Sequence, residues 1–369
     1  FYTLMVLSTA LFDREPFKNC ICHGVVQDED GQKLSKRLKN YPDPDEVFAT
    51  HGSDALRWFL CSSPVLRGGD LNIAKDGKTI SEVVRLVIHP IWNAYSFFCL
   101  YANADGIKAK VRSDASGVLD RYVLAKLRRT LERVTAAMEA YDLAGACAEI
   151  RAFLDALNNW YIRRSRPRFW REAADQDKRD AYDTLYTVLT TLCRMSAPFL
   201  PLVTEEVYRG LTGEKSVHLA DWPDAAMVPA DAALVENMDR VREVCSVALG
   251  LREEKRLRVR LPLSELAIAA AWSKALQPYE GLISSEVNIK KVWFSERPDV
   301  FATTRYSVHA KKAGPRLGGT LKAVLAAVKA PAVEFQISGK DAQVKTSEGW
   351  IPLLEGEWDV SLVPNHDEG

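Results

Sequence analysis

Hydrophobic and polar positions fall into three textures along the chain. From Phe1 to about Asp76 the pattern is α/β. Tyr2–Phe12 is an apolar helical stretch, and Asn19–Gln27 (NCICHGVVQ) is a short apolar, β-branched run of the kind buried as a strand. Asp28-Glu29-Asp30-Gly31 makes a turn, Gly31–Asn40 is a polar loop rich in lysine, and Pro42 and Pro44 mark its exit. Asp43 stands where it can cap a helix over Asp45–Thr50. Gly52 breaks that helix, and Ser53 or Asp54 caps the next, which Ala55–Cys61 carries on.

From Ser81 to about Leu251 nearly every window has helical spacing. The runs are Val83–Ala102 with a kink expected at Pro90, Leu119–Ala140, Leu143–Trp170, Asp177–Ala197 and Leu200–Leu211. Short connections such as Asp114–Gly117 and Asp221–Pro229 favour antiparallel neighbours in a bundle. After about Lys255 the texture changes again. Arg256–Ile268 alternates basic and apolar residues, Val287–Phe294, Ala332–Ser338 and Trp350–Val363 read as strands, and Thr320–Lys329 reads as a helix between them. The expected architecture is an α/β segment over 1–80, an all-α bundle over 81–255 and a small α+β domain over 256–369.

Composition changes this picture little. With 369 residues, 47% hydrophobic and 27% charged, the chain is long enough for two or three domains with their own cores, which excludes disorder and a disulfide scaffold. The apolar runs Ala181–Leu192 and Ile91–Ala102 stop well short of the roughly 20 residues of a membrane span, so no membrane partner is expected. Seven scattered cysteines without a CxxC pair fit a reducing, cytoplasmic setting. Cys20-Ile21-Cys22-His23 could be half of a metal site, but no second cluster follows; the thiols read as buried in the strand, and no metal site is expected. The N-terminus shows neither an initiator methionine nor a basic signal region, and reads as a chain cut within a fold. The 49 basic residues balance 49 acidic ones, which argues against a generally basic nucleic-acid coat and leaves local patches open.

Three such patches stand out. The loop Gly31-Gln32-Lys33-Leu34-Ser35-Lys36-Arg37 follows an apolar strand, where ligands of open α/β sheets bind. Two ammonium groups three residues apart can converge on a polyphosphate, helped by a hydroxyl and free backbone N–H groups; a solvated lysine-rich turn has the same composition. The stretch Trp160–Arg171 (WYIRRSRPRFWR) gathers Arg163, Arg164, Arg166, Arg168 and Arg171 without an acid. Guanidinium forks suit RNA phosphates, whereas Trp160 and Phe169 read as core anchors. The third run, Arg252, Lys255, Arg256, Arg258 and Arg260, alternates with Leu257, Val259 and Leu261 and fits either a solvated edge or an RNA-facing strand. His89, His218, His309 and His366 are isolated and read as structural or surface groups.

At the lysine loop the sequence resembles a known family. Lys33-Leu34-Ser35-Lys36-Arg37 is similar to the KMSKS signature of class I aminoacyl-tRNA synthetases, with Leu34 in place of Met and Arg37 in place of the last Ser. His23-Gly24 upstream and Asn40, Pro42 and Asp45 downstream fit the isoleucyl branch. So do Gly52–Trp58 (GSDALRW), Asn158–Trp170 and Ala197–Leu202 (APFLPL), most closely in the form shared by eukaryotes and some bacteria. The resemblance covers Phe1 to about Val259 and implies the C-terminal part of a Rossmann-like catalytic domain followed by an anticodon-binding helical bundle. It implies that Lys33 and Lys36 hold the phosphates of Mg²⁺-bound ATP, that His23 and Gly24 lie against the adenine, and that Ser35 bonds within the loop or to a phosphate. It also implies tRNA-Ile as partner, with Arg163, Arg164, Arg166 and Arg168 in its binding surface, isoleucine as the second substrate, and no obligate protein partner. The family's HIGH motif is missing, since His51-Gly52 lies after the lysine loop and continues Ser-Asp; the first half of the Rossmann domain and the editing domain are expected before Phe1. This chain alone is therefore expected to be inactive. The rivals are the valyl or leucyl counterpart and a stand-alone tRNA-binding module without catalysis, a module that would have no use for a phosphate loop.

Overall fold

A computed structural model describes the chain except for residues 173–174, 298–301, 331–332 and 365–369; His366 lies outside the described residues. The chain forms two compact units, Phe1–Glu236 and Asn237–Gly369.

In the first unit, α1 (Tyr2–Phe12) is helical as its spacing predicts, but none of its residues is buried. The expected strand over Asn19–Gln27 shrinks to β1 (Val26–Gln27), which pairs in parallel with β2 (Leu71–Asn72). A strand needs a partner along its length, and the ladder starts only at Val26↔Leu71, preceded by single backbone bonds at Gly24 and Val25. Cys20 and Cys22 are accordingly exposed, with their Sγ atoms 4.0 Å apart, and not buried as expected. The helices α2 (Pro44–His51) and α3 (Ser53–Cys61) follow, the first capped by the Asp43 carboxylate, which accepts from Asp45 N–H.

The bundle is built from α4 (Lys78–Val83) continued by α5 (His89–Asp105), α6 (Val118–Glu139), α7 (Leu143–Asp155) continued by α8 (Arg163–Trp170), α9 (Gln176–Ser196) and α10 (Pro201–Thr212). Two of these runs pass through a π-helical turn. Val84–Ile88 lies just before Pro90, where the missing N–H and the ring's clash with the preceding turn would otherwise break the ladder. At Ala156–Ile162 the Asn158 side chain donates to Leu154 O at 3.0 Å, serving a carbonyl within the disturbed register. The joined helix Lys78–Asp105 is long and apolar enough to span a membrane by length and composition alone. Its stripe Ile80, Val83, Val87, Ile91, Ala94, Phe98 and Ala102, spaced by three and four, is buried in the core shared with α6, α7 and α9, so one face of the helix packs into the bundle.

The second unit starts within α11 (Ala232–Glu254). The strand expected over Arg256–Ile268 begins only at Leu263. β3 (Leu263–Ala269) pairs in parallel with β4 (Ile289–Ser295) across α12 (Glu280–Val287). β5 (Ala302–Val308), α13 (Ala310–Leu317) and α14 (Leu321–Val328) come next, then β6 (Phe335–Ser338), β7 (Asp341–Thr346) and β8 (Gly349–Leu353) as an antiparallel meander. β9 (Trp358–Pro364) returns antiparallel to β5, so the run Trp350–Val363 is two strands, separated by a turn at Gly356.

Candidate functional site: a lysine loop and an arginine helix

The lysine loop hangs from β1 by a network the sequence pattern did not reveal. Gly24 N–H donates to Val65 O at 2.8 Å, and a Cβ there would lie 1.9 Å from Gly69 O, so only glycine fits this approach. The Asp70 carboxylate accepts from Val25 N–H and from the Gln27 side chain, both at 3.0 Å, which fixes the strand's edge. Beyond β1, Asp28 closes the turn by accepting from Asp30 and Gln32 N–H, while Asn40 Nδ2 donates to its other oxygen at 2.7 Å. The hydrogen bonds from Asn40 and Gln32 hold the Asp28 carboxyl below the ordinary carboxylate range. Asn40 Oδ1 in turn accepts from Ser35 N–H at 2.9 Å, so one amide ties both ends of the loop together.

The result is an ordered backbone that carries unpaired cations. Lys33, Lys36 and Arg37 are exposed, and their side chains have no partner among the described residues. Ser35 Oγ accepts from Arg37 N–H at 3.2 Å, which leaves its hydroxyl proton free to donate outward. His23 is exposed, with Nδ1 2.7 Å from Gly24 O, and Gly24 is buried. Such a loop can bind a polyanion with two ammonium groups without first breaking an ion pair.

After the loop, two motifs about 140 residues apart in sequence interlock. Asp54 accepts from Leu202 and Val203 N–H at 3.0 and 2.8 Å, capping α10 from another helix. Arg57 donates twice to Pro198 O, at 3.0 and 2.8 Å, and Trp58 meets Phe199 edge-on, with centroids 5.9 Å apart. These contacts fix α3 to the α9–α10 corner. Burial pushes the Asp54 carboxyl above its ordinary value despite the two N–H donors.

The arginine stretch divides its charge. Trp160 and Phe169 are buried core residues, and Arg164 lies over the Trp160 ring with its guanidinium carbon 5.0 Å from the centroid. Arg168, expected among the RNA-binding residues, points into the bundle instead. It grips both oxygens of fully buried Asp120 at 2.8 and 2.7 Å and also meets Asp177, while Tyr161 OH donates to Asp120 at 2.7 Å. The reason is helical geometry: Arg168 shares the inward face with Tyr161 and Ser165, whereas Arg163 and Arg166 are exposed on the other side. Arg163 Nε donates to Asn159 O at 2.8 Å, and Arg166 has no partner among the described residues. The outward face extends back through Asn159 and Asp155 to Arg151, which line a groove together with Arg85 of the π-helical turn before α5. Asp120 did carry a sequence signal: an acid on an apolar stripe, three and four residues before Val123 and Leu124. Asp70, 45 residues from its partner Val25, carried none.

This arrangement is accompanied by matches at the level of families. Residues 1–73 match the model "tRNA synthetases class I (I, L, M and V)", and residues 120–268 match "Anticodon-binding domain of tRNA ligase". The chain belongs to the class I aminoacyl-tRNA synthetases. Relatives that it matches along its length include isoleucine–tRNA ligases. That of Nocardia farcinica is 53% identical over 100% of this chain and 34% of its own length, and that of Leifsonia xyli subsp. xyli is 49% identical over 98% and 32%. That of Mycobacterium tuberculosis is 52% identical over 89% and 31%. The chain spans about a third of the length of these proteins.

Proposed function

We propose that the chain is the part of an isoleucine–tRNA ligase that supplies the phosphate-binding loop and a tRNA-binding surface. In this reading 1–80 completes the catalytic domain, 81–255 is the anticodon-binding bundle and 256–369 is an accessory α+β domain, all acting in the cytoplasm. The single observation behind it is the lysine loop: Lys33 and Lys36 stand exposed and unpaired on a backbone held at both ends by Asn40, next to the close Gly24–Gly69 approach.

In the whole enzyme the carboxylate of isoleucine would attack the α-phosphate of ATP, forming the adenylate and releasing pyrophosphate. Lys33 and Lys36 would carry the charge that grows on that leaving group, Ser35 would donate its free proton to a phosphate oxygen, and His23 and Gly24 would face the adenine. Ammonium groups are not metal ligands, so Mg²⁺ would come with the nucleotide. Arg163, Arg164 and Arg166 would face tRNA-Ile, with Arg168 holding the helix that presents them.

A preorganised charge at the developing pyrophosphate is worth about 3–4 kcal/mol, or roughly 10²–10³ in rate. Lys36→Ala in the complete enzyme is expected to lower isoleucine-dependent pyrophosphate exchange by that factor, and an unchanged rate would remove Lys36 from the reaction. The 369-residue chain alone is expected to show no such exchange.

A further inference from the structure

The third basic run is not the strand its alternation predicts, and its geometry is more specific. α11 ends in a tight turn at Lys255 and Arg256, the latter with φ 55°, and the chain doubles back before β3. Arg252, in the last turn of α11, is 3% exposed and lies beneath this turn. Its guanidinium donates to Arg258 O at 2.6 Å and also to Leu261 O, while Nε and Nη1 are buried without a partner. No carboxylate faces it among the described residues, and the neighbouring Glu253 and Glu254 are exposed. Three more bonds fix the same backbone: Leu257 N–H to Arg252 O at 2.7 Å, Leu261 N–H to Arg258 O at 2.9 Å and Asn288 Nδ2 to Val259 O at 2.8 Å.

A buried cation without a counterion is costly, and it persists only where the surrounding structure demands it. Here it pins a turn whose other cations all face outward. Lys255, Arg256, Arg258 and Arg260 are exposed, and none has a partner among the described residues. At the end of β4 nearest this turn, Lys290 and Lys291 are exposed as well. In the same unit some cations pair with acids, as Lys274 does with Glu296, Arg316 with Glu357 and Lys340 with Glu355, and others such as Lys311 and Lys322 do not among the described residues; the turn at 255–260 differs from these in being pinned from beneath by a buried guanidinium. An unpaired set on a rigid turn loses little freedom on binding a row of anions, and arginine forks suit phosphates.

We infer that residues 255–260, pinned by Arg252, form a second phosphate-binding surface for a polynucleotide, separate from the arginine helix. The inference rests on the tRNA-ligase reading and adds Arg256, Arg258 and Arg260 as contact residues, with Arg252 as their positioning residue.

Filter binding of a tRNA-Ile transcript to the 369-residue chain across a salt series tests it. The variant Arg256→Ala/Arg258→Ala/Arg260→Ala alters exposed side chains only and should fold. Losing three phosphate contacts at about 0.7 each should flatten the log–log salt slope by about 2 and weaken binding about a hundredfold near 0.1 M salt. Arg252→Met, which leaves the three arginines in place, should weaken binding about tenfold at a temperature where circular dichroism shows it folded. A triple variant with the wild-type slope overturns the inference. If Arg163→Gln/Arg166→Gln still weakens binding in that case, the tRNA reading survives it. If the unmodified chain binds no tRNA at any salt, both fall. If the triple variant loses binding only to anionic phospholipid vesicles, the surface is a membrane contact and the inference fails. A Tm loss for Arg252→Met with unchanged affinity makes Arg252 structural alone.

Discussion

Arg168 and Arg252 are both withdrawn from solvent, but only Arg168 meets a carboxylate. Asp120 takes both of its terminal nitrogens at 2.7–2.8 Å and leaves only Nε unpaired, whereas Arg252 has two peptide carbonyls on Nη2 and leaves both Nε and Nη1 unpaired. The difference follows from local geometry. A helix sends every third or fourth arginine of a dense cluster inward, so the bundle must provide an acid on the facing helix, and α6 does. A turn sends its arginines outward, and the one buried cation serves the backbone that displays them. Both arrangements present exposed arginines at the surface, but they depend on their buried arginine to different degrees.

The largest expected effect tests the first arrangement. Arg168→Met strips the counterion from fully buried Asp120 and should cost about 3–5 kcal/mol, read by urea denaturation with far-ultraviolet circular dichroism. Adding Asp120→Asn should recover part of that loss, since the charge goes with its partner. A cost below about 1 kcal/mol for the single variant would mean that Asp120 finds another partner. Arg166→Met, two residues away and exposed, should stay within about 0.5 kcal/mol of wild type. The contrast within one helix separates the arginine that holds the bundle from those exposed on its outer face.

Gly24→Ala gives the next largest effect and carries the comparison to the lysine loop, where no buried charge is involved. The added methyl would collide with the Gly69 carbonyl, so an overpacking cost of about 1–3 kcal/mol is expected, with faster hydrogen exchange at Gly24 and Leu71. Unchanged exchange at those amides would show that the two backbones separate without consequence.

Much of the bundle was legible from spacing alone, because a long amphipathic stripe such as Ile80 to Ala102 has one reading at the level of a single helix. The strands were less legible. Asn19–Gln27 has strand composition, but strand length depends on a neighbour, and β2 offers two residues. Arg256–Ile268 alternates like a strand, yet its first half is a turn set by a buried arginine. At the candidate site, the lysines announced themselves by type and spacing. What orders them did not, because Asp70 and Asn40 act through hydrogen bonds to residues placed near them only by the fold. The arginines were visible as a cluster, but composition does not say which of them faces inward.

Asp54 is the anionic counterpart of Arg252, a buried charge answered mainly by backbone dipoles at a helix end, and it carries the smallest expected effect. Its carboxylate accepts from Leu202 and Val203 N–H at the start of α10, yet burial still lifts its pKa above the ordinary value. The folded state therefore holds a proton more tightly than the unfolded chain does. The protonated form's advantage is fully present below the ordinary carboxylate pKa and is lost as pH rises through the raised, folded value. Asp54→Asn does not titrate, and its amide oxygen can still accept from one of the two N–H groups, so its cost near neutral pH should be about 1 kcal/mol or less. The stability of wild type relative to Asp54→Asn should then fall as pH rises from the ordinary carboxylate range toward neutrality, measured by urea denaturation at several pH values. The opposite trend would mean that the N–H donors of α10 and the nearby Arg57 outweigh burial, and that Asp54 is held as Asp120 is, by favourable charge.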